Sequence, residues 1–261
     1  MTRLADYAEK YSCITFERTD GLLEMRFHAP DGGPLKWGLA GDTAHNQFGR
    51  AFFDVGRDVE NRVVIMTGTG PTFLTEFDTT GFKGQTPRLW DAIYKEGKDL
   101  LMNLLDIEVP VIAAINGPAL IHAEIPLMSD IVLSVEEAEF ADCAHMPSNV
   151  PPADGVHVWW EMLLGPSRAR YFLLTSQRIG AAEAQRLGFV HEIVPRERLL
   201  ARARELAADL VSKSPLTLRY ARAALTQNLK RRMLEDLGYG LALEGLAAVA
   251  RTFDSHGLED Q

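Results

Sequence analysis

Apolar and polar positions along the chain follow a few distinct rhythms. "ITFERTDGLLEMRFHA" alternates and breaks at Asp20-Gly21, which predicts a β-hairpin with a tight turn. "TAHNQFGRAFFDVGRD" changes to helical spacing, with Phe48, Phe52 and Val55 along one side. "NRVVIMTGTG" and "PVIAAINGPA" are short, continuously apolar runs ending in glycine, the pattern of strands buried on both faces. "SDIVLSVEEAEFAD" reads as a third such strand. Between the first two lies "LWDAIYKEGKDLLMNLLDIE", a long amphipathic helix stopped by Val109-Pro110.

The repeat of apolar strand, glycine turn and helix points to α/β layering, not to a sandwich or a bundle. From Ser167 onward helical segments dominate: "SRARYFLLTS", "AAEAQRLG", "ERLLARARELAADLVSK" and "LEDLGYGLALEGLAAVART". The expected organisation is an α/β core over 1–200 and a helical region over 201–261, packed on the core without a low-complexity linker.

Composition narrows the class. The chain has 261 residues, 46% hydrophobic and 24% charged, enough for a substantial core. A net charge of −9 argues against nucleic acid as a partner. Neither a signal-peptide pattern nor an apolar run of membrane-spanning length occurs, and Cys13 and Cys143 are the only cysteines. A cytoplasmic protein without a membrane partner is the expectation. Charge is uneven: between Arg196 and Arg232 ten basic residues face three acidic ones, so this segment is +7 and the remainder −16. A solvated helical surface, a subunit contact or a phosphate site would each give that pattern.

Polar residues interrupt the apolar pattern at four places. In "NGPALIHAEIPLMSD", His122 and Glu124 sit among apolar neighbours, either facing solvent from a loop or paired inside. "ADCAHMPSNVPPADGVH" gathers Asp142, His145, Asp154 and His157 in a segment rich in proline. An Asp on one nitrogen of an imidazole leaves the other free as a base, and Asp154 is the candidate orienting group for His145. Glu244 falls on the helical stripe of Leu237, Leu241 and Ala248, so it needs a buried partner, a cavity or a solvated edge. "PLKWGLAGDTAHNQF" adds Trp37 and His45. No nucleophile elbow, P-loop, full dinucleotide fingerprint or zinc-protease spacing is present, so no cofactor and no metal are expected, and acid/base work by imidazole and carboxylate remains.

Taken together, "NRVVIMTGTGPTFLTEFD", "VPVIAAINGPA", "SDIVLSVEEAEF" and "AAEAQRLGFVHEIVP", in that order, resemble the crotonase (enoyl-CoA hydratase/isomerase) superfamily. The resemblance implies a spiral of ββα units with a C-terminal helical region, and a homo-trimer or dimer of trimers. Departures from the superfamily pattern are informative. The glycine-rich turn whose backbone N–H holds a thioester oxyanion is here "IHAEI", one residue shorter and without glycine, and the usual Ala-Gly of the first turn is "LTEF". Glu124 stands at the first catalytic Glu of hydratases, and His145 replaces the second.

These departures resemble the 6-oxocamphor hydrolase branch of β-diketone hydrolases, which cleave a C–C bond of cyclic 1,3-diketones without CoA. The resemblance implies His145, His122, Asp154, Glu244 and His45 as catalytic, with Trp37 and Phe82 binding substrate. His145 would activate water and His122 would donate to a carbonyl or protonate the enolate. Trp159 and Trp160 are candidate pocket wall or core. Two other readings stay open: a CoA-dependent hydratase or isomerase acting through Glu124, with the basic segment on CoA phosphates, and a non-catalytic binding subunit.

Overall fold

The structure is a computed structural model that describes residues 2–39, 41–80, 82 and 84–255. Its strands are β1 (Ile14–Thr19), β2 (Leu22–Phe27), β3 (Lys36–Gly38), β4 (Val63–Thr67), β5 (Glu76–Asp78), β6 (Val111–Ile115), β7 (Ile131–Ser134), β8 (Glu139–Phe140), β9 (Ile179–Gly180) and β10 (Glu192–Ile193). The helices are α1 (Leu4–Tyr7), α2 (Ala44–Arg57), α3 (Pro87–Leu105), α4 (Glu124–Leu127), α5 (Val156–Leu164), α6 (Pro166–Thr175), α7 (Ala181–Leu187), α8 (Leu199–Val211) and α9 (Pro215–Ser255).

Asp20 and Gly21 both take positive φ, 51° and 83°, which matches the right-handed twist of β1 and β2 and sets their antiparallel register. The main sheet has the order β1-β2-β4-β6-β7-β10 and is parallel from β2 onward. Every residue of β4 and β6 is buried, as their unbroken apolar runs predict. Helix α8 lies against β2, β4, β6 and β7.

Each inner strand of this sheet is followed by a shorter extended step. After β4 comes Leu74, after β6 comes Ala119, and after β7 comes β8; Leu74, Ala119 and Phe140 bridge in parallel, and β9 extends the row. That double step followed by helix is the ββα spiral that the resemblance implies. It also revises one expectation, because "SDIVLSVEEAEFAD" is two strands in two sheets and not one. Glu136 and Glu137 are exposed, and the Ala138 N–H closes a turn on the Val135 carbonyl between them. Helix α3 ends at Leu105, before Val109-Pro110, and the Pro110 carbonyl instead accepts from Val64 at the start of β6.

In the C-terminal region, α9 runs unbroken for 41 residues. Arg222, buried within it, donates to Asp130 and to the Leu105 and Ile107 carbonyls, fastening the helix to the core. Residues 256–261, the end of the expected helical region, lie outside the described residues. Among the described residues no helix is long and apolar enough to cross a membrane, and Cys13 and Cys143 are both free.

The basic segment is neutralised within the chain. Arg202, Arg204, Arg219, Arg222 and Lys230 pair with Glu192, Glu24, Glu108, Asp130 and Asp106, respectively. Trp160 is core, packed between Phe172 and Phe189, and Trp159 is partly buried against the same cluster, so neither forms the pocket wall.

Candidate active site

Six separate pieces of chain converge on one cavity of about 210 Å³. At about 30 Å³ per water in the liquid, that is the space of roughly seven waters, the scale of a small carbocycle. Trp37 comes from β3, His45 from the first turn of α2, Phe82 from the segment before α3, and His122 from the turn before α4. His145 and Asp154 come from the loop between β8 and α5, and Glu244 from α9. All seven residues expected at the site from sequence therefore line the same cavity.

The Asn116-Gly117 turn shapes the entry to His122. Asn116 accepts from the Gly68 N–H and donates to the Gly70 and Thr72 carbonyls. A Cβ on Gly117 would lie 1.8 Å from the Pro71 carbonyl oxygen, so only glycine permits this approach. His122 then takes φ 48°, the left-handed region that costs a non-glycine residue about 1–2 kcal/mol. The strained backbone points the imidazole inward: His122 Nδ1 is 2.9 Å from Glu124 Oε1 and 3.3 Å from Asp154 Oδ2. Glu124 is 2% exposed and holds this ring, which accounts for a carboxylate among apolar neighbours.

His145 is held differently from the expectation. Its Nδ1 bonds Asp142 Oδ1 at 2.7 Å, so Asp142, and not Asp154, is the orienting carboxylate. Asp154 Oδ1 lies 3.3 Å from the other nitrogen, Nε2, and Glu244 Oε1 lies 3.7 Å from it. Asp154 thus bridges the two imidazoles, one carboxylate oxygen to each, and the rings meet edge to face with centroids 5.7 Å apart.

The protonation of the cluster follows from these neighbours. Burial works to lower the His145 pKa, but Asp154 and Asp142 outweigh it and hold the imidazole well above its ordinary 6.5. For His122, burial is likewise outweighed by Glu124 and Asp154, and the pKa is raised. Glu244 moves well upward through burial and the nearby Asp154 charge, which favours its neutral acid. Asp154 moves down despite burial, because His145 and His122 favour its ionised form. His122/Glu124/Asp154 and His145/Asp154/Glu244 each bring ligand atoms within 4.8 Å of one another and could hold a divalent ion; imidazolium–carboxylate pairing produces the same closeness.

Trp37 is fully buried, and its ring lies on His122 with centroids 4.4 Å apart. Its indole N–H has no hydrogen-bond partner among the described residues, so a donor is left for a bound carbonyl. His45 Nδ1 is tied to Glu96 Oε2 at 3.0 Å, and Asn46 donates to the other oxygen of that carboxylate. His157, by contrast, is turned away from the cavity against Gly240.

Sequence reasoning missed Glu96, Trp90, Gln85 and Arg251, the last three of which line the cavity. Glycines inside the α9 pattern were the available signal. A Cβ on Gly240 would meet the Ala153 carbonyl oxygen at 2.0 Å, and one on Gly245 would meet Trp90 Nε1 at 2.0 Å. These contacts seat α9 against the Asp154 loop and place Glu244, one turn beyond Gly240, at the cavity.

Comparison with known proteins identifies the fold and the family. A β-diketone hydrolase from the cyanobacterium Anabaena, solved with (S)-3-oxocyclohexyl acetic acid bound, superposes with a TM-score of 0.91 at 45% identity, covering 94% of this chain and 98% of that one. An enoyl-CoA hydratase/isomerase from Mycobacterium paratuberculosis gives a TM-score of 0.83 at 25% identity, over 95% and 98% of the two chains. Carnitinyl-CoA dehydratase of Salmonella typhi is 35% identical over 174 residues, 65% of either chain, so the match spans just under two thirds of that curated relative. Residues 18–242 match the enoyl-CoA hydratase/isomerase family along nearly the whole described chain, and the protein belongs to that family of enzymes.

Proposed function

We propose that the protein hydrolyses a C–C bond of a cyclic or bicyclic 1,3-diketone to a keto acid, without CoA. The observation that carries this reading is Asp154 bridging two imidazoles beneath an apolar cavity. Cleavage of a 1,3-diketone by water needs one proton removed and one delivered. A base deprotonates the water attacking a carbonyl; the C–C bond of the tetrahedral adduct then breaks, and the enolate released takes a proton on carbon. Two imidazoles at the two ends of one carboxylate suit that pair of tasks.

His145 is the base, through Nε2, with Asp142 fixing the ring from Nδ1. Its raised pKa makes it a stronger base, at the cost of a smaller neutral fraction near pH 7. His122, whose Nδ1 donates to Glu124 and lies 3.3 Å from Asp154 Oδ2, presents its remaining edge as the proton donor. The unpaired Trp37 N–H supports a role in holding a carbonyl, and neutral Glu244 can donate to the developing oxyanion. His45, anchored by Glu96, assists at the cavity wall, and Phe82 packs on the ring of the substrate. The bound cyclic keto acid of the Anabaena relative has the product chemistry this scheme requires.

The likeness to carnitinyl-CoA dehydratase favours a second reading, CoA-thioester chemistry through Glu124. Three features weigh against it. The Leu120 and Ile121 N–H groups both donate to the Leu74 carbonyl and do not face an oxyanion. Glu124 is engaged by His122, and the basic segment is largely paired with carboxylates of the chain itself. Thermal shift separates the readings: bicyclic 1,3-diketones should raise Tm, whereas stabilisation by an enoyl-CoA alone would support the second. Assembly as a homo-trimer or dimer of trimers is part of the proposal, supported by exposed Leu216, Tyr220, Leu225, Leu234, Tyr239 and Leu246 along α9.

A further inference from the structure

The cavity lining includes a cation that the hydrolytic scheme does not use. Arg251, two turns beyond Glu244 on α9, is the only described Arg or Lys lining it. Its guanidinium donates to the Ser148 carbonyl and meets no carboxylate among the described side chains. Most of its hydrogen-bonding capacity is therefore uncommitted, in a chain where arginines are otherwise commonly paired with acids. Gln85 lies next to it: its backbone N–H bonds Thr252 Oγ1 at 2.8 Å, and its side chain also lines the cavity. That side chain is 3% exposed, and its Oε1 has no hydrogen-bond partner among the described residues. A buried amide beside an uncommitted guanidinium makes a recognition site for a planar anion, and an amide turned about its last bond presents its N–H₂.

Resting on the reading of the cavity as a diketone hydrolase, we propose that Arg251 and Gln85 form a carboxylate subsite for the keto acid product. The substrate is neutral, and hydrolysis creates a carboxylate beside ionised Asp154, where like charge disfavours it. Ring opening frees the acid arm to rotate, and the uncommitted cation, two helical turns beyond Glu244, lines the same cavity. Arg251 and Gln85 thus give the enzyme affinity for its product without adding to its affinity for the diketone.

The test compares 3-oxocyclohexyl acetic acid with its methyl ester by calorimetric titration into the full chain, with diketone turnover followed in parallel. The wild type is expected to bind the acid at least tenfold more tightly than the ester. Arg251→Gln and a second neutral replacement, Arg251→Met, should lose that preference while ester affinity stays within about threefold, and Arg251→Lys should keep most of it. Melting curves establish that each variant is folded. Equal affinities for acid and ester in the wild type, or an unchanged preference in a folded neutral variant, would overturn the subsite. Turnover of diketone with no acid preference removes the subsite alone. Acid preference lost in the neutral variants, with no diketone turned over by the wild type, supports the anion site and removes the hydrolase reading.

Discussion

Two charge-rich regions of this protein have similar chemistry and opposite consequences. Along 196–232, arginines and lysines pair with carboxylates mostly at the surface, as in Arg204–Glu24 and Arg219–Glu108. Around Asp154, two imidazoles pair with carboxylates in the buried interior: His145 is 3% and Glu124 2% exposed. At the surface, water and salt screen each pair, and a typical contribution is about 0–1 kcal/mol. In the interior the same kinds of contact move several pKa values, two of them imidazoles pushed up against the pull of burial. Charge number distinguishes the two regions poorly; desolvation distinguishes them well.

The largest effect should come from His145→Ala, which removes the base while leaving a small cavity. Cleavage of a bicyclic diketone, measured as kcat/KM, should fall by about 10³-fold with the fold retained in circular dichroism. Wild-type-like turnover would dissociate the buried cluster from the chemistry.

Next is Asp154→Asn, expected to cost about 10²-fold, with a diagnostic change in pH dependence. In the wild type the base is active only when deprotonated. Its pKa is raised, so kcat/KM should rise with pH through a midpoint above 6.5. Asp154 is the foremost of the groups raising that pKa, and its neutralisation should move the midpoint to lower pH. A midpoint that stays in place would mean that another group titrates.

Glu124→Gln should be milder, about tenfold in kcat with KM little changed, because the amide keeps the shape but not the charge that holds His122. A Glu124→Gln variant that loses activity as completely as His145→Ala would favour direct acid/base chemistry by Glu124. At the small end, Arg204→Ala should lower Tm by no more than a few degrees and leave kcat/KM unchanged. A large loss there would remove the contrast between the two regions.

Much of this architecture was legible in the sequence, for a physical reason. Strands β4 and β6 are buried on both faces, so their composition alone identifies them, and Asp20-Gly21 is one of few dipeptides that suits a tight hairpin. The Leu237, Leu241, Glu244 and Ala248 stripe located a carboxylate facing inward, because helical period converts directly into direction. The resemblance to known enzymes brought His122, His145 and Asp154 to one cavity.

What could not be read was which carboxylate holds which nitrogen. Asp142 and Asp154 are both near His145 in sequence, and only the path of the loop puts Asp142 on Nδ1 and Asp154 between two rings. Trp37 was expected at the site, but its contact with His122 was equally hidden. Strands β3 and β5 have only three residues each, too few to show a period, yet their parallel pairing carries the indole onto His122. Arg251 was lost in a long helix whose amphipathic pattern suits any solvated arginine.

The most direct measurement of the central claim is hydrolysis of a bicyclic 1,3-diketone in ¹⁸O-labelled water, run beside an enoyl-CoA under the same conditions. The account predicts a keto acid carrying one labelled oxygen in its carboxylate from water attack, formed without CoA, and no hydration of the thioester. Turnover of the enoyl-CoA with no acid formed from any diketone would contradict it.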